Sequence, residues 1–133
     1  MPGIEAASSY AELRRQEAVS AKRLYAVDAV CTPASPVTDV AELTGLAMTA
    51  VRAGSGHVLD TSHVIFPNGA ITLVLILAES HLSIHTWPEE NLIAVDLFSC
   101  GAIDGQAVLD RLTASLRLTQ VHVRQVPRGL PPA

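Results

Sequence analysis

Residues 70–78 read AITLVLILA, and the reading of this stretch decides the fold. The run is nearly continuous in apolar side chains, and its unbroken part, Leu73 to Ala78, is only six residues long. A membrane-crossing helix needs about 20 apolar residues, so the run is no transmembrane segment. It follows Pro67-Asn68-Gly69, a turn signal in which Asn-Gly tolerates positive φ. A short apolar run entered from such a turn predicts a central strand, buried on both faces.

Working outward, His57 to Phe66 is rich in β-branched residues and predicts the strand before the turn. On the other side a strand begins near Ser80 and is broken by Trp87-Pro88-Glu89-Glu90-Asn91, after which LIAVDLFS, residues 92–99, predicts another. LYAVDAVC, Leu24 to Cys31, reads as a first strand, and LTQVHVRQV, residues 118–126, alternates as a half-exposed last one. Helical spacing of Val37, Val40, Leu43, Leu46, Ala47 and Val51 predicts a helix capped by Ser35, with Pro36 in its first turn, and stopped by Gly54 and Gly56. Asp104 is the expected cap of a second helix carrying Val108, Leu109, Leu112 and Leu116 inward. The order βαββββαβ predicts an α+β two-layer sandwich, a mostly antiparallel sheet with its two main helices on one face.

The chain has 133 residues, the length of a single domain spanning 1–133. With 49% hydrophobic and 17% charged residues it can build a core, which excludes a disordered chain. That low charge fraction also asks whether so small a domain buries its apolar surface alone. Nine basic against 13 acidic residues leave no basic face for nucleic acid, and neither nucleic acid nor membrane is an expected partner. Two cysteines, Cys31 and Cys100, are too few for a disulfide scaffold. Residues 1–22 read as a polar N-terminal extension, with a short helix over 9–20 capped by Ser9, and lack a signal-peptide core. The expected location is cytoplasmic.

The chemistry is concentrated in Glu79-Ser80-His81-Leu82-Ser83-Ile84-His85-Thr86-Trp87-Pro88-Glu89. These residue types alone leave several readings open. The segment could be a strand with polar side chains facing water. A metal site would need His81, His85 and a third ligand such as Cys100, yet four extended steps put the histidines about 13 Å apart. A serine hydrolase lacks its G-x-S-x-G elbow.

ESHLSIHTWPE resembles the self-cleavage and active-site segment of the bacterial S-adenosylmethionine decarboxylase proenzymes, and AVDLFSCG, Ala94 to Gly101, resembles that family's second motif. The resemblance runs from about His63 to Arg128-Gly129 and is weak before that. It implies autocatalytic cleavage between Glu79 and Ser80, giving a β chain of residues 1–79 and an α chain of residues 80–133. The cofactor it implies is a pyruvoyl group derived from Ser80, which takes up the substrate amine and draws electrons as carbon dioxide leaves. Glu79, Ser80, Thr72 (a serine in most relatives) and His85 are the implied processing residues. Ser80, His85 and Cys100 are the implied catalytic ones, with Cys100 as proton donor and no metal. The implied substrate-binding residues are Phe66 and His85 on either side of the adenine, Glu89 on the ribose hydroxyls, and Leu82.

The implied function is decarboxylation of S-adenosylmethionine to the aminopropyl donor for spermidine, by a homodimer of processed protomers with sites near the subunit interface. Two departures bear on the substrate. The family's Phe-x-Pro-x-Gly loop is here Ile65-Phe66-Pro67-Asn68-Gly69, and its first strand usually carries a histidine and glutamates where this chain has Asp28 alone. Some relatives decarboxylate L-ornithine or L-arginine by the same chemistry, and Asp28 is then a candidate acid for the distal cation. A non-processing binding or scaffold homologue is the alternative of another class. His57, His63, His122, Arg124 and Arg128 read as surface or packing residues.

Overall fold

A computed structural model describes residues 21–131. The expected helix over 9–20 lies outside them. Strand β1 (Lys22–Val30) is followed by helix α1 (Val40–Ala53), then β2 (Val58–Ile65), β3 (Ile71–Leu77), β4 (Ser80–Trp87), β5 (Leu92–Ser99), helix α2 (Gly105–Ser115) and β6 (Thr119–Arg128). A single 3-10 turn, Pro88–Glu90, links β4 to β5. The six strands form one sheet in the order β2-β3-β4-β5-β1-β6. Every neighbouring pair is antiparallel, so the α+β sandwich expected from the element order is the observed architecture. β1 begins at Lys22, two residues before the expected start and at the last residue of the expected 1–22 extension.

The core lies between one sheet face and the two helices. Leu73, Leu75, Leu82, Ile84, Ile93 and Leu97 from the sheet meet Leu43, Ala47, Val51, Val108, Leu109 and Leu112 from the helices. Each fully buried Leu or Ile here contributes roughly 1.5–3 kcal/mol by removal from water.

Strand β3 departs from the expectation of burial on both faces. Ile71, Leu73, Leu75 and Leu77 are buried, whereas Thr72 and Val74 are half-buried and Ile76 is 45% exposed. The alternation is hidden in the sequence because both faces carry apolar side chains. Among the described residues, no helix lies over the second face of the sheet.

Helix α1 starts four residues later than expected. Asp39 is the N-cap, accepting hydrogen bonds from the N–H groups of Ala41 (2.9 Å) and Glu42 (3.2 Å). The Ser35 hydroxyl instead accepts from Thr32 N–H (2.9 Å) in the preceding loop. Gly54 ends the helix, and its carbonyl accepts from Asp104 N–H at 2.9 Å. A Cβ at Gly54 would sit 2.4 Å from Val108 Cγ2, so glycine is required where the two helix ends meet. Asp104 caps α2 through the N–H of Ala107, as the sequence predicts.

Candidate active site

The turn between β3 and β4 consists of Ala78 and Glu79, with Leu77 and Ser80 facing each other across it. Hydrophobic flanks pull this turn inward. Glu79 is only 1% exposed although it is a carboxylate, so it requires donors. His57 supplies them: its backbone N–H reaches Oε1 at 2.9 Å and its ring Nδ1 reaches Oε2 at 2.7 Å. His57, expected to be a surface or packing residue, is thus bound to the turn.

The Glu79 carbonyl oxygen accepts a hydrogen bond from Cys100 Sγ at 3.0 Å. The register that pairs His81 with Phe98 brings the end of β5, and with it Cys100, beside the turn. Ser80 has φ 144°, a conformation L-residues avoid, costing about 1–3 kcal/mol. Its Oγ lies 3.4 Å from His81 Nδ1. A cleft of about 300 Å³ opens beside the thiol, lined by Arg23, Tyr25, Ser99 and Gly101. A strained serine that follows a held carbonyl fits the serine-derived pyruvoyl group which the sequence implies.

A second cluster lies at the far end of the same hairpin. Thr72 pairs with His85 across β3 and β4, and Thr72 Oγ1 is 3.2 Å from His85 Nδ1. These two, with Phe66, Asn68, Ala70 and Trp87, line a cleft of about 320 Å³. The Asn68 amide donates to Glu89 Oε2 at 3.1 Å and its Oδ1 accepts from Ala70 N–H at 3.0 Å. Asn68 therefore ties the Phe66 turn to Glu89, a link the sequence reading missed.

The structure brings Ser80, Glu79 and Cys100 together, and separately Thr72, His85, Phe66 and Glu89. It does not bring the two sets together within one chain. Ser80 and His85 are five strand steps apart, about 17 Å. The expectation that His85 acts on Ser80 is therefore not met inside a protomer.

Leu82, implied as a substrate-binding residue, turns its side chain inward. It is fully buried in the core, on the face opposite His85, and lines neither cleft. Asp28 projects from β1 on the His85 side of the sheet, in register with Ala94, which pairs with His85. Its Oδ2 accepts from Arg124 at 3.0 Å, so the acid already holds a guanidinium. Arg128, read as a surface charge, sits over the Phe98 ring at 5.4 Å from its centroid.

Neither Cys31 nor Cys100 is in a disulfide. They follow Val30 and Ser99, at opposite ends of the β1–β5 ladder, about 23 Å apart and far beyond disulfide reach. Burial pushes the Cys31 thiol above its ordinary pKa, which keeps it protonated. Among the described residues no group of three His, Cys, Asp or Glu side chains could hold a metal ion, and no helix is long and apolar enough to cross a membrane.

Comparison with known proteins agrees with the fold. The S-adenosylmethionine decarboxylase family profile matches residues 23–129, reaching well before His63, where the sequence resemblance fades. S-adenosylmethionine decarboxylase proenzyme 2 of Bacillus anthracis is 37% identical over 82 residues, covering 61% of this chain and 67% of its own. The proenzyme of Pyrococcus horikoshii is 28% identical over 107 residues, covering 80% of this chain and 77% of its own. The crystal structure of the adenosylmethionine decarboxylase from Aquifex aeolicus superimposes with a TM-score of 0.74 at 26% identity, covering 85% of this chain and 94% of that one.

Fold, relatives and site together define a class, the pyruvoyl-dependent decarboxylases, lyases whose prosthetic group forms from an internal serine. Within that class, the chain belongs to the S-adenosylmethionine decarboxylase family.

Proposed function

We propose that this chain is a proenzyme that cuts itself between Glu79 and Ser80 and then decarboxylates S-adenosylmethionine, yielding the aminopropyl donor for spermidine. The observation that carries the proposal is the Cys100 Sγ–Glu79 O hydrogen bond at 3.0 Å, on the peptide that precedes a strained serine.

The Ser80 hydroxyl attacks the Glu79 carbonyl carbon, and negative charge gathers on the oxygen that the thiol already faces. The C–N bond breaks, the amine stays on Ser80, and an ester joins Glu79 to the serine Oγ. Loss of the Ser80 Cα proton expels the Glu79 carboxylate. Water then replaces the nitrogen, releasing ammonia and leaving a ketone at the new N-terminus. Leaving the strained peptide releases backbone strain, which favours the forward step. The pyruvoyl group supplies an electron sink for loss of carbon dioxide. Once Glu79 has departed, the Cys100 thiol no longer faces that carbonyl and can hold a proton for the carbon that lost the carboxyl group.

A homodimer is part of this reading, supported by the separation of the two clusters. A two-fold partner that lays its open sheet face on this one can set its Thr72–His85 end over this chain's Ser80, making each site from both chains. The half-exposed Val74 and the exposed Ile76 on that face support such a cover. Phe66 and His85 then flank the adenine and Glu89 receives the ribose hydroxyls, in a cleft of adequate size. A cytoplasmic location goes with this reading.

The test is release of labelled carbon dioxide from carboxyl-labelled S-adenosylmethionine, L-ornithine and L-arginine by purified protein. Release from S-adenosylmethionine alone is expected. Release only from a basic amino acid overturns the substrate assignment.

A further inference from the structure

Self-cleavage needs the Glu79 carbonyl to stay on the thiol while Ser80 bears its strained backbone. Nothing in a two-residue turn enforces that by itself, since such a turn relaxes as soon as its side chain swings out to water. Three hydrogen bonds to a single residue oppose that motion. The His57 carbonyl accepts from Ala78 N–H at 2.9 Å, and the Glu79 carboxylate accepts from His57 N–H at 2.9 Å and from His57 Nδ1 at 2.7 Å. A carboxylate only accepts, so the ring carries its proton on Nδ1. The carboxylate is buried, whereas the His57 side chain is 56% exposed. The histidine thus serves the turn and not the core.

We infer that His57 is a positioning residue for self-cleavage, clamping the turn so that the Glu79 carbonyl faces Cys100. The inference rests on the cleavage reading above. Without the ring, the buried carboxylate keeps one donor of two, and the turn opens toward solvent. The carbonyl then leaves the thiol, and attack by Ser80 loses both its geometry and its oxyanion partner.

The experiment follows conversion of freshly made precursor into two chains on a denaturing gel, for wild type, His57→Ala and His57→Asn. Asparagine puts an amide N–H near the place of Nδ1. His57→Ala is expected to slow conversion about tenfold or more, and His57→Asn to recover most of the loss. Thermal unfolding is measured in a Ser80→Ala background, where neither variant can cleave, and is expected to move by only a few degrees. Wild-type conversion with His57→Ala at the same rate overturns the inference and leaves the cleavage reading standing. Equal slowing in both variants, or collapse of the folded precursor in the Ser80→Ala background, assigns His57 to stability and also overturns it. A wild-type chain that never converts removes the cleavage reading and this inference with it.

Discussion

Cys100 and Glu79, 21 residues apart in sequence, meet through the hydrogen bond from Sγ to the Glu79 carbonyl oxygen at 3.0 Å. The thiol thus occupies the position where charge develops when the neighbouring serine attacks. It also loses that carbonyl partner when the peptide is cut. One side chain can therefore serve first the precursor and then the enzyme, in that order.

Cys100→Ala tests the first of these roles. Removing one oxyanion donor usually costs roughly 10²-fold, so chain cleavage is expected to slow by about that factor. Cys100→Ser, which keeps a donor, is expected to cleave faster than Cys100→Ala. A gel time course measures both, and equal rates for Cys100→Ala and wild type contradict the assignment.

A site shared between chains predicts complementation. Ser80→Ala lacks the nucleophile and His85→Ala lacks the histidine, so each homodimer is expected to be inactive. When the two are expressed together, one site of the mixed dimer holds both intact halves. Recovered carbon dioxide release, assayed on purified mixed dimers, is the expected result. Inactive mixed dimers contradict the shared site.

Sequence and structure agree where one local signal stands alone, and part where two signals compete or register decides. The turn at Pro67-Asn68-Gly69 and the Asp104 cap are local and were legible. Ser35 and Asp39 are both good caps, and only the loop bond to Thr32 N–H shows which one the helix uses. Ser80 and His85 look adjacent in a motif, but an extended strand turns five residues into about 17 Å. His57 was missed because its partner lies 22 residues away across a hairpin. A buried acid before the serine was the one signal that a donor had to exist.

Glu89→Gln separates binding from processing. The carboxylate sits on the 3-10 turn, tied to Asn68 and away from the cleaved peptide. KM for S-adenosylmethionine is expected to rise about tenfold, with cleavage at the wild-type rate. Steady-state kinetics on the fully cleaved variant checks this, and an unchanged KM rules the contact out.

Gly54→Ala probes the junction of the helices. The added methyl meets Val108 Cγ2 at 2.4 Å and the Asp104 carbonyl at 2.6 Å. Overpacking of this kind costs about 1–3 kcal/mol, so the thermal midpoint is expected to fall by several degrees. A midpoint equal to wild type would show that α1 and α2 can move apart freely.

The most direct measurement is the intact mass of the purified protein. The account predicts that the 14.0 kDa chain gives way to two species, residues 1–79 and residues 80–133, the second with an N-terminus blocked to Edman degradation. A single 14.0 kDa species that persists through long incubation, from a protein that is folded and dimeric, would contradict it.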